Sequence, residues 1–180
     1  MKSNIVLIGF MGTGKSTVGK ILAEKLNKDF IEMDNVISQK ANKSIPEIFS
    51  QDGEITFREL EMQVAKELSE KKNKIISAGG GLVLNKLNID YLKKKSIIVL
   101  LQADPKEIFK RISKDGKEKR PLLDNIDPVK EIKSLLDYRL NYYNSAAEIT
   151  VSTNNKDPSQ IASEIIRRLK IEIPDKKKLN

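Results

Sequence analysis

Eight residues, Gly9-Phe10-Met11-Gly12-Thr13-Gly14-Lys15-Ser16, lie between a short apolar run, Asn4–Ile8, and a segment with helical patterning, Lys15–Leu26. They fit G-x-x-x-x-G-K-[ST] in the context that gives the pattern its mechanism, a strand that turns on glycines into a helix. Gly9, Gly12 and Gly14 let the backbone curl until successive N–H groups face one anion. The helix N-terminus adds about half a positive charge. The segment therefore reads as a phosphate loop. Gly12, Thr13, Gly14, Lys15, Ser16 and Thr17 are its candidate nucleotide-binding residues. Lys15 is expected to reach the β/γ-phosphates and Ser16 to bind Mg²⁺ directly.

The rest of the chain alternates short apolar runs with helical periodicity. Strands are expected at Phe30–Met33, Lys74–Ala78, Ser96–Leu101 and Glu148–Val151. Helices are expected at Asn35–Ala41, Ile45–Ser50, Ile55–Ser69, Lys106–Ile112, Pro128–Tyr143 and Pro158–Leu169. Ile97 to Leu101 is apolar without a break, as suits a strand buried on both faces of a parallel sheet. Strand alternating with helix throughout predicts an α/β fold, a parallel sheet with helices on both faces. Ligands of such sheets sit at the C-terminal strand ends. Ser113–Asn125 is polar and weakly periodic and reads as a mobile loop. The 180 residues suit one domain, taken as 1–172 with a frayed tail at 173–180.

Composition removes several chemistries. The chain has no cysteine and no histidine. That excludes disulfides, thiol nucleophiles, His-dependent triads and zinc sites built on those residues. No apolar run approaches the ~20 residues of a membrane span. The short apolar start reads as a first strand and not a signal peptide, so a cytoplasmic protein is expected. The net charge of +8 raises nucleic acid as a partner. Much of it lies in lysine runs, Lys93–Lys95 and Lys176–Lys178, that read as solvated faces. Only six of the 33 basic residues are arginine: Arg58, Arg111, Arg120, Arg139, Arg167 and Arg168. Where lysine supplies solubility, an arginine marks a place that needs a rigid two-pronged donor.

Several residues then stand out as an acceptor site. Glu32 and Asp34 close the second strand two residues apart, and in extended chain they would point the same way. One would help hold the metal ion while the other faces an acceptor hydroxyl. Gly79-Gly80-Gly81 follows the third strand and suits close approach of a ligand to bare backbone. Ser77, just before, could contact the water shell of a metal. Arg58 has Glu61 three residues on, placed to lock its guanidinium. Arg120, beside Pro121 in the polar loop, suits a lid that brings charge to a transferring phosphoryl group.

Taken together, these segments resemble shikimate kinase over nearly the whole chain, from Ile5 to about Leu169. The segments are G-F-M-G-T-G-K-S-T-V-G-K from Gly9, E-M-D at Glu32–Asp34, and I-P-E-I-F followed by G-E-x-x-F-R-x-x-E from Ile45 to Glu61. Further on come A-G-G-G at Ala78–Gly81, R-P-L-L at Arg120–Leu123, R-x-x-x-Y at Arg139–Tyr143 and a closing segment with Pro158. The resemblance implies a P-loop kinase fold with a five-stranded parallel sheet, acceptor-binding helices at about 35–69 and a mobile lid at about 113–125. It implies transfer of the γ-phosphoryl of ATP to the 3-hydroxyl of shikimate. By position, Lys15, Asp34 and Arg120 would be catalytic. Asp34 would contact the acceptor hydroxyls and assist proton removal. Arg58 and Arg139 would hold the carboxylate, with Gly79, Gly80 and Gly81 completing the pocket. Arg111 and Pro158 would sandwich the adenine, and Glu32 would reach Mg²⁺ through water. The family usually has aspartate where Glu32 stands and often proline where Asn141 stands.

The partners expected are shikimate and ATP, with no nucleic acid, no membrane and a monomeric state. Two other readings compete. One is another small-molecule kinase of this architecture, acting on gluconate or a nucleotide. The other is a nucleic-acid-binding nucleotide switch. Asn155-Lys156-Asp157-Pro158 comes near the guanine-reading N-K-x-D but has proline where the final aspartate belongs. It reads instead as a turn into the last helix.

Overall fold

A computed structural model of the chain describes residues 2–114 and 127–171. Its five strands are β1 (Asn4–Ile8), β2 (Asp29–Glu32), β3 (Lys74–Ser77), β4 (Ser96–Gln102) and β5 (Ile149–Ser152). The helices are α1 (Lys15–Leu26), α2 (Met33–Ala41), α3 (Ile45–Glu47), α4 (Gly53–Glu70), α5 (Lys86–Lys93), α6 (Pro105–Lys114), α7 (Pro128–Ala146) and α8 (Pro158–Leu169). The strands form one parallel sheet in the order β2-β3-β1-β4-β5. Residues 113 and 114 of the expected lid end α6. The remainder, Arg120 included, lies outside the described residues, as does the tail from 172. No helix among the described residues is long and apolar enough to cross a membrane.

The period-2 side-chain alternation of each central strand feeds two separate cores. Val6 and Ile8 of β1, Ile76 of β3, and Ile98 and Leu100 of β4 pack with α2, α4, α5 and α7. Ile5 and Leu7, Ile75, and Val99 and Leu101 pack on the other face with α1 and α8. A third, smaller cluster puts Phe10 of the phosphate loop against Ile108 and Ile112 of α6 and Ile132 of α7. The phosphate loop is thus seated on packed helices and not only tethered at its ends.

Helix ends follow their local chemistry. α8 begins on Pro158 behind an Asp157 capping box with Gln160. α7 starts where Asp127 accepts from the Lys130 N–H, and it runs one turn beyond the expected Tyr143. The separate helices expected at Ile45–Ser50 and Ile55–Ser69 are joined by a single π-helical turn, Ile48–Asp52, that leads into α4. Three differences bear on function. β2 stops at Glu32, and Asp34 lies in the first turn of α2, so the extended-chain argument for pairing Glu32 with Asp34 does not hold. A helix, α5, occupies a stretch where none was expected. It is capped by Asn85, which accepts from the Leu87 N–H, and it buries Ile89 and Leu92. β3 also ends one residue early, which leaves Ala78 in the turn.

A strand buried on both faces has no tolerant side. Leu100→Ala and Leu101→Ala, which empty opposite cores, should each cost about 2–5 kcal/mol in denaturant unfolding. A sheet with one solvated face would instead leave one of the two nearly silent.

Candidate active site

The site is built along one edge of the sheet. Parallel register places Glu32 of β2 beside Ser77 of β3, and Ser77 beside Leu7 of β1. Three chain segments leave the sheet together just beyond that row: the start of α2, the glycine run 79–81 and the phosphate loop. They wall a cleft of about 570 Å³, closed on its other sides by α4 and α7.

The phosphate loop has the geometry that its pattern requires. Gly9 sits at φ 143°, and a Cβ there would come within 2.3 Å of the Leu101 carbonyl oxygen, so no other residue fits. Gly14 caps α1 in the left-handed region with φ 90°. α1 carries no acidic residue in its first turn and no side-chain cap, so its positive end is left for an external anion. Gly12, Gly14, Lys15, Ser16 and Thr17 all line the cleft. The Lys15 ammonium donates to the carbonyls of Gly9 and Phe10 at 2.8 and 3.0 Å. Thr13 differs from its neighbours. Its side chain is buried, and its hydroxyl donates to the Phe10 carbonyl at 2.7 Å, bracing the loop from inside.

Glu32, Asp34, Arg58, Gly79, Gly80, Gly81 and Arg139 line the same cleft, and Glu61 with them. Two of the three glycines have a reason that composition alone does not show. None of the three has a positive φ. A Cβ on Gly79 would meet Asp34 Oδ1 at 3.1 Å, and one on Gly81 would meet the Arg58 guanidinium at 2.9 Å. At Gly79 and Gly81 charged side chains occupy the space beside the backbone, whereas a Cβ on Gly80 would make only ordinary contacts.

Arg58 is clamped. Its Nη1 donates to Glu61 at 3.1 Å, and its Nη2 and Nε donate to Glu54 at 3.0 and 3.2 Å. Burial pulls its pKa down, but Glu61 and Glu54 more than offset this and leave it above its ordinary value. Glu61 is only 1% exposed. Burial pushes its pKa up, Arg58 opposes, and the nearby Asp34 charge adds to the rise. Asp34 is also raised, first by burial and then by Glu32, with Lys15 opposing. Arg139 is held differently. Its guanidinium stands 5.5 Å from the Phe10 ring centroid, and Nη1 makes a long 3.5 Å contact to the Gly80 carbonyl. Its buried Nε has no hydrogen-bond partner among the described residues. A half-buried guanidinium facing a cleft suits an anion.

Two nucleotide candidates lie outside this cleft wall. Arg111 spends its donors on Glu107, the Gly12 carbonyl and both oxygens of Thr153. One Nη2 N–H and the flat faces of the guanidinium remain for a ligand. Pro158 opens α8 five residues after Thr153. Oxygen donors for a hard divalent cation also line this cleft: Ser16, Glu32 and the buried Ser77 hydroxyl, which has no hydrogen-bond partner among the described residues. No group of three or more His, Cys, Asp or Glu side chains able to hold a metal occurs among the described residues. Most ligands of such a cation must therefore come from phosphate and water.

The shikimate kinase family model matches residues 11–170. A shikimate kinase of Enterococcus faecalis is 42% identical over 167 residues, 93% of this chain and 98% of that protein. One from Caldanaerobacter subterraneus is 44% identical over 164 residues, 91% of this chain and 94% of its own. The chain belongs to the shikimate kinase family. Among solved structures, shikimate kinase from Acinetobacter baumannii in complex with shikimate superposes with a TM-score of 0.86 at 34% identity. That match covers 99% of this chain and 96% of the other.

Sequence reading missed the apolar part of this cleft. Met11, Ile45, Phe49 and Phe57 share its wall, and Phe49 packs on Phe57 with ring centroids 4.6 Å apart. Phe57 had a helical signal that placed it in the core. Met11 and Phe49 stood only as letters of matching segments, with no sign that they line the cleft, because that depends on how the phosphate loop and the π turn face each other.

The raised pKa of Asp34 has a stability consequence. A carboxyl whose folded pKa exceeds its unfolded value favours folding below the unfolded pKa and loses that contribution as pH rises through the folded one. At pH 7 the ionised Asp34 therefore costs stability. Asp34→Asn should melt higher than the parent at pH 7, by about 2–4 °C per kcal/mol recovered. The gap should close as pH falls toward the ordinary carboxyl value of 3.8. A lower melting point at pH 7 would contradict this assignment.

Proposed function

We propose that this protein transfers the γ-phosphoryl group of ATP to the 3-hydroxyl of shikimate, giving shikimate 3-phosphate and ADP. The observation that carries this reading is one cleft that holds two anion sites, the phosphate loop with Lys15 and the Arg58–Arg139 pair. Family membership supports the choice of acid.

Phosphoryl transfer has a loose transition state, so catalysis rests on positioning and on charge stabilisation. The N–H groups at the start of α1 and the Lys15 ammonium bind the phosphates. Arg58, held rigid by Glu54 and Glu61, and Arg139 grip the acceptor carboxylate. Asp34 orients the hydroxyl and takes its proton late. Its raised pKa suits that task better than an ordinary exposed carboxylate would. Mg²⁺ would be held directly by Ser16 and through water by Glu32 and Ser77, and it would supply charge neutralisation at the β/γ-phosphates. Arg120, outside the described residues, is assigned the lid charge by its motif. Arg111 offers a flat guanidinium face and Pro158 a ring face for the adenine.

An ADP-release assay with shikimate, gluconate and nucleoside monophosphates tests the acceptor, and turnover is expected with shikimate alone. Preference for gluconate or a nucleotide would overturn the reading. Lys15→Ala should remain folded and lose at least ~10²-fold in kcat. Arg58→Lys keeps the charge but loses the two-pronged geometry. It should raise the KM for shikimate roughly 10- to 100-fold, with the KM for ATP nearly unchanged. Equal loss for both substrates would place Arg58 elsewhere in the mechanism.

A further inference from the structure

The established parts of the site leave one buried polar side chain unassigned. Tyr143 lies four residues after Arg139, on the same face of α7. It is 3% exposed, and its hydroxyl donates to the Gly80 carbonyl at 2.6 Å. We propose that Tyr143 is a positioning residue for the acceptor pocket, acting through Gly80 and Arg139. This rests on the reading of the cleft as the shikimate site.

Gly80 occupies a junction. A Cβ built there would lie 3.6 Å from the Gly9 carbonyl oxygen, 3.6 Å from the Met11 N and 3.9 Å from Arg139 Nη1. It thus touches both the phosphate loop and the carboxylate-binding arginine. It stands between two other glycines, with no side chain of its own to hold the segment. A glycine run of this kind has many backbone states available. The Tyr143 hydroxyl selects one of them.

The selection has a directional consequence. Peptide units are planar, and no cis bond occurs among the described residues, so a carbonyl and the following N–H point in opposite directions. With the Gly80 carbonyl drawn toward α7, the Gly81 N–H is turned away from α7. Tyr143 therefore sets the orientation of a donor in the cleft wall.

The same bond governs Arg139. Two donors converge on the Gly80 carbonyl, Tyr143 at 2.6 Å and Arg139 at 3.5 Å. The phenol holds the short contact, and the guanidinium, with only a weak contact to the carbonyl, donates in turn to the phenol oxygen. Without the hydroxyl, Arg139 is expected to lose that anchor and its set position at the cleft. The phenol is well suited to a permanent donor role. Burial pushes its pKa up to about 12, although Arg139 pulls the other way. It stays protonated across the working range.

Tyr143→Phe removes the hydroxyl and keeps the ring in its core. The KM for shikimate should rise about 3- to 15-fold, with the KM for ATP within a factor of two and the melting temperature lower by about 2–6 °C for the lost hydrogen bond. p-Aminophenylalanine at position 143, which restores an N–H donor, should recover most of the loss. A residue that only fills the core would leave both KM values unchanged or shift them together, and either result overturns the proposal. In the unaltered protein, shikimate should slow exchange of the Tyr143 hydroxyl proton, and no change would also overturn it. Absence of any shikimate turnover by the parent would instead sink the functional reading on which this rests.

Discussion

The hydrogen-bonded register of β1 with β3 is the constraint on which the site depends. It sets Leu7 beside Ser77 and brings the Ala78 N–H onto the Leu7 carbonyl. The two loops that follow, phosphate loop and glycine run, must then emerge side by side. The β3–β2 register adds Glu32 to the same row, and α2 begins one residue later with Asp34 in its first turn. A slip of one residue in any of these pairings would turn the side chains to the opposite face. The two cores, filled by alternate residues of the same strands, make such a slip costly.

Around that edge the protein holds charges that water would otherwise screen. Burial makes both Glu61 and Asp34 resist ionisation, with Asp34 adding to the effect at Glu61 and Glu32 adding to it at Asp34. Neither placement favours stability. Glu61 is justified by the guanidinium it locks, and Asp34 by the proton it can accept. The family relationship and the geometry point to the same division of labour. In the proposed reading, one set of donors serves the nucleotide tail, the other serves an organic acid, and the glycines between them leave room for both.

Much of the architecture was legible because local signals agreed with the global fold. α1 and α8 have the expected bounds, since glycine and lysine at one start and Asp157-Pro158 at the other are strong local punctuation. The unbroken apolar run in β4 announced a doubly covered strand. α5 was missed because its signal is short: one asparagine cap and two buried apolar residues among lysines. The end of β2 was misplaced by one residue because Met33 is apolar in either state, and its burial under α4 is a tertiary matter. In the site, the phosphate loop and the scarce arginines could be read directly. The reason for the glycine run could not, because the Asp34 and Arg58 atoms that crowd it come from elsewhere in the chain. Tyr143 was visible only as part of a motif, with no indication that its hydroxyl meets Gly80.

The central claim is that nucleotide phosphate and organic acid bind against each other in one cleft. A crystal structure with shikimate and a non-hydrolysable ATP analogue tests it most directly. The account predicts the carboxylate between Arg58 and Arg139, and a hydroxyl oxygen beside Asp34 about 3–3.5 Å from the γ-phosphorus. An acid bound away from Lys15, with both arginines turned to solvent, would contradict it.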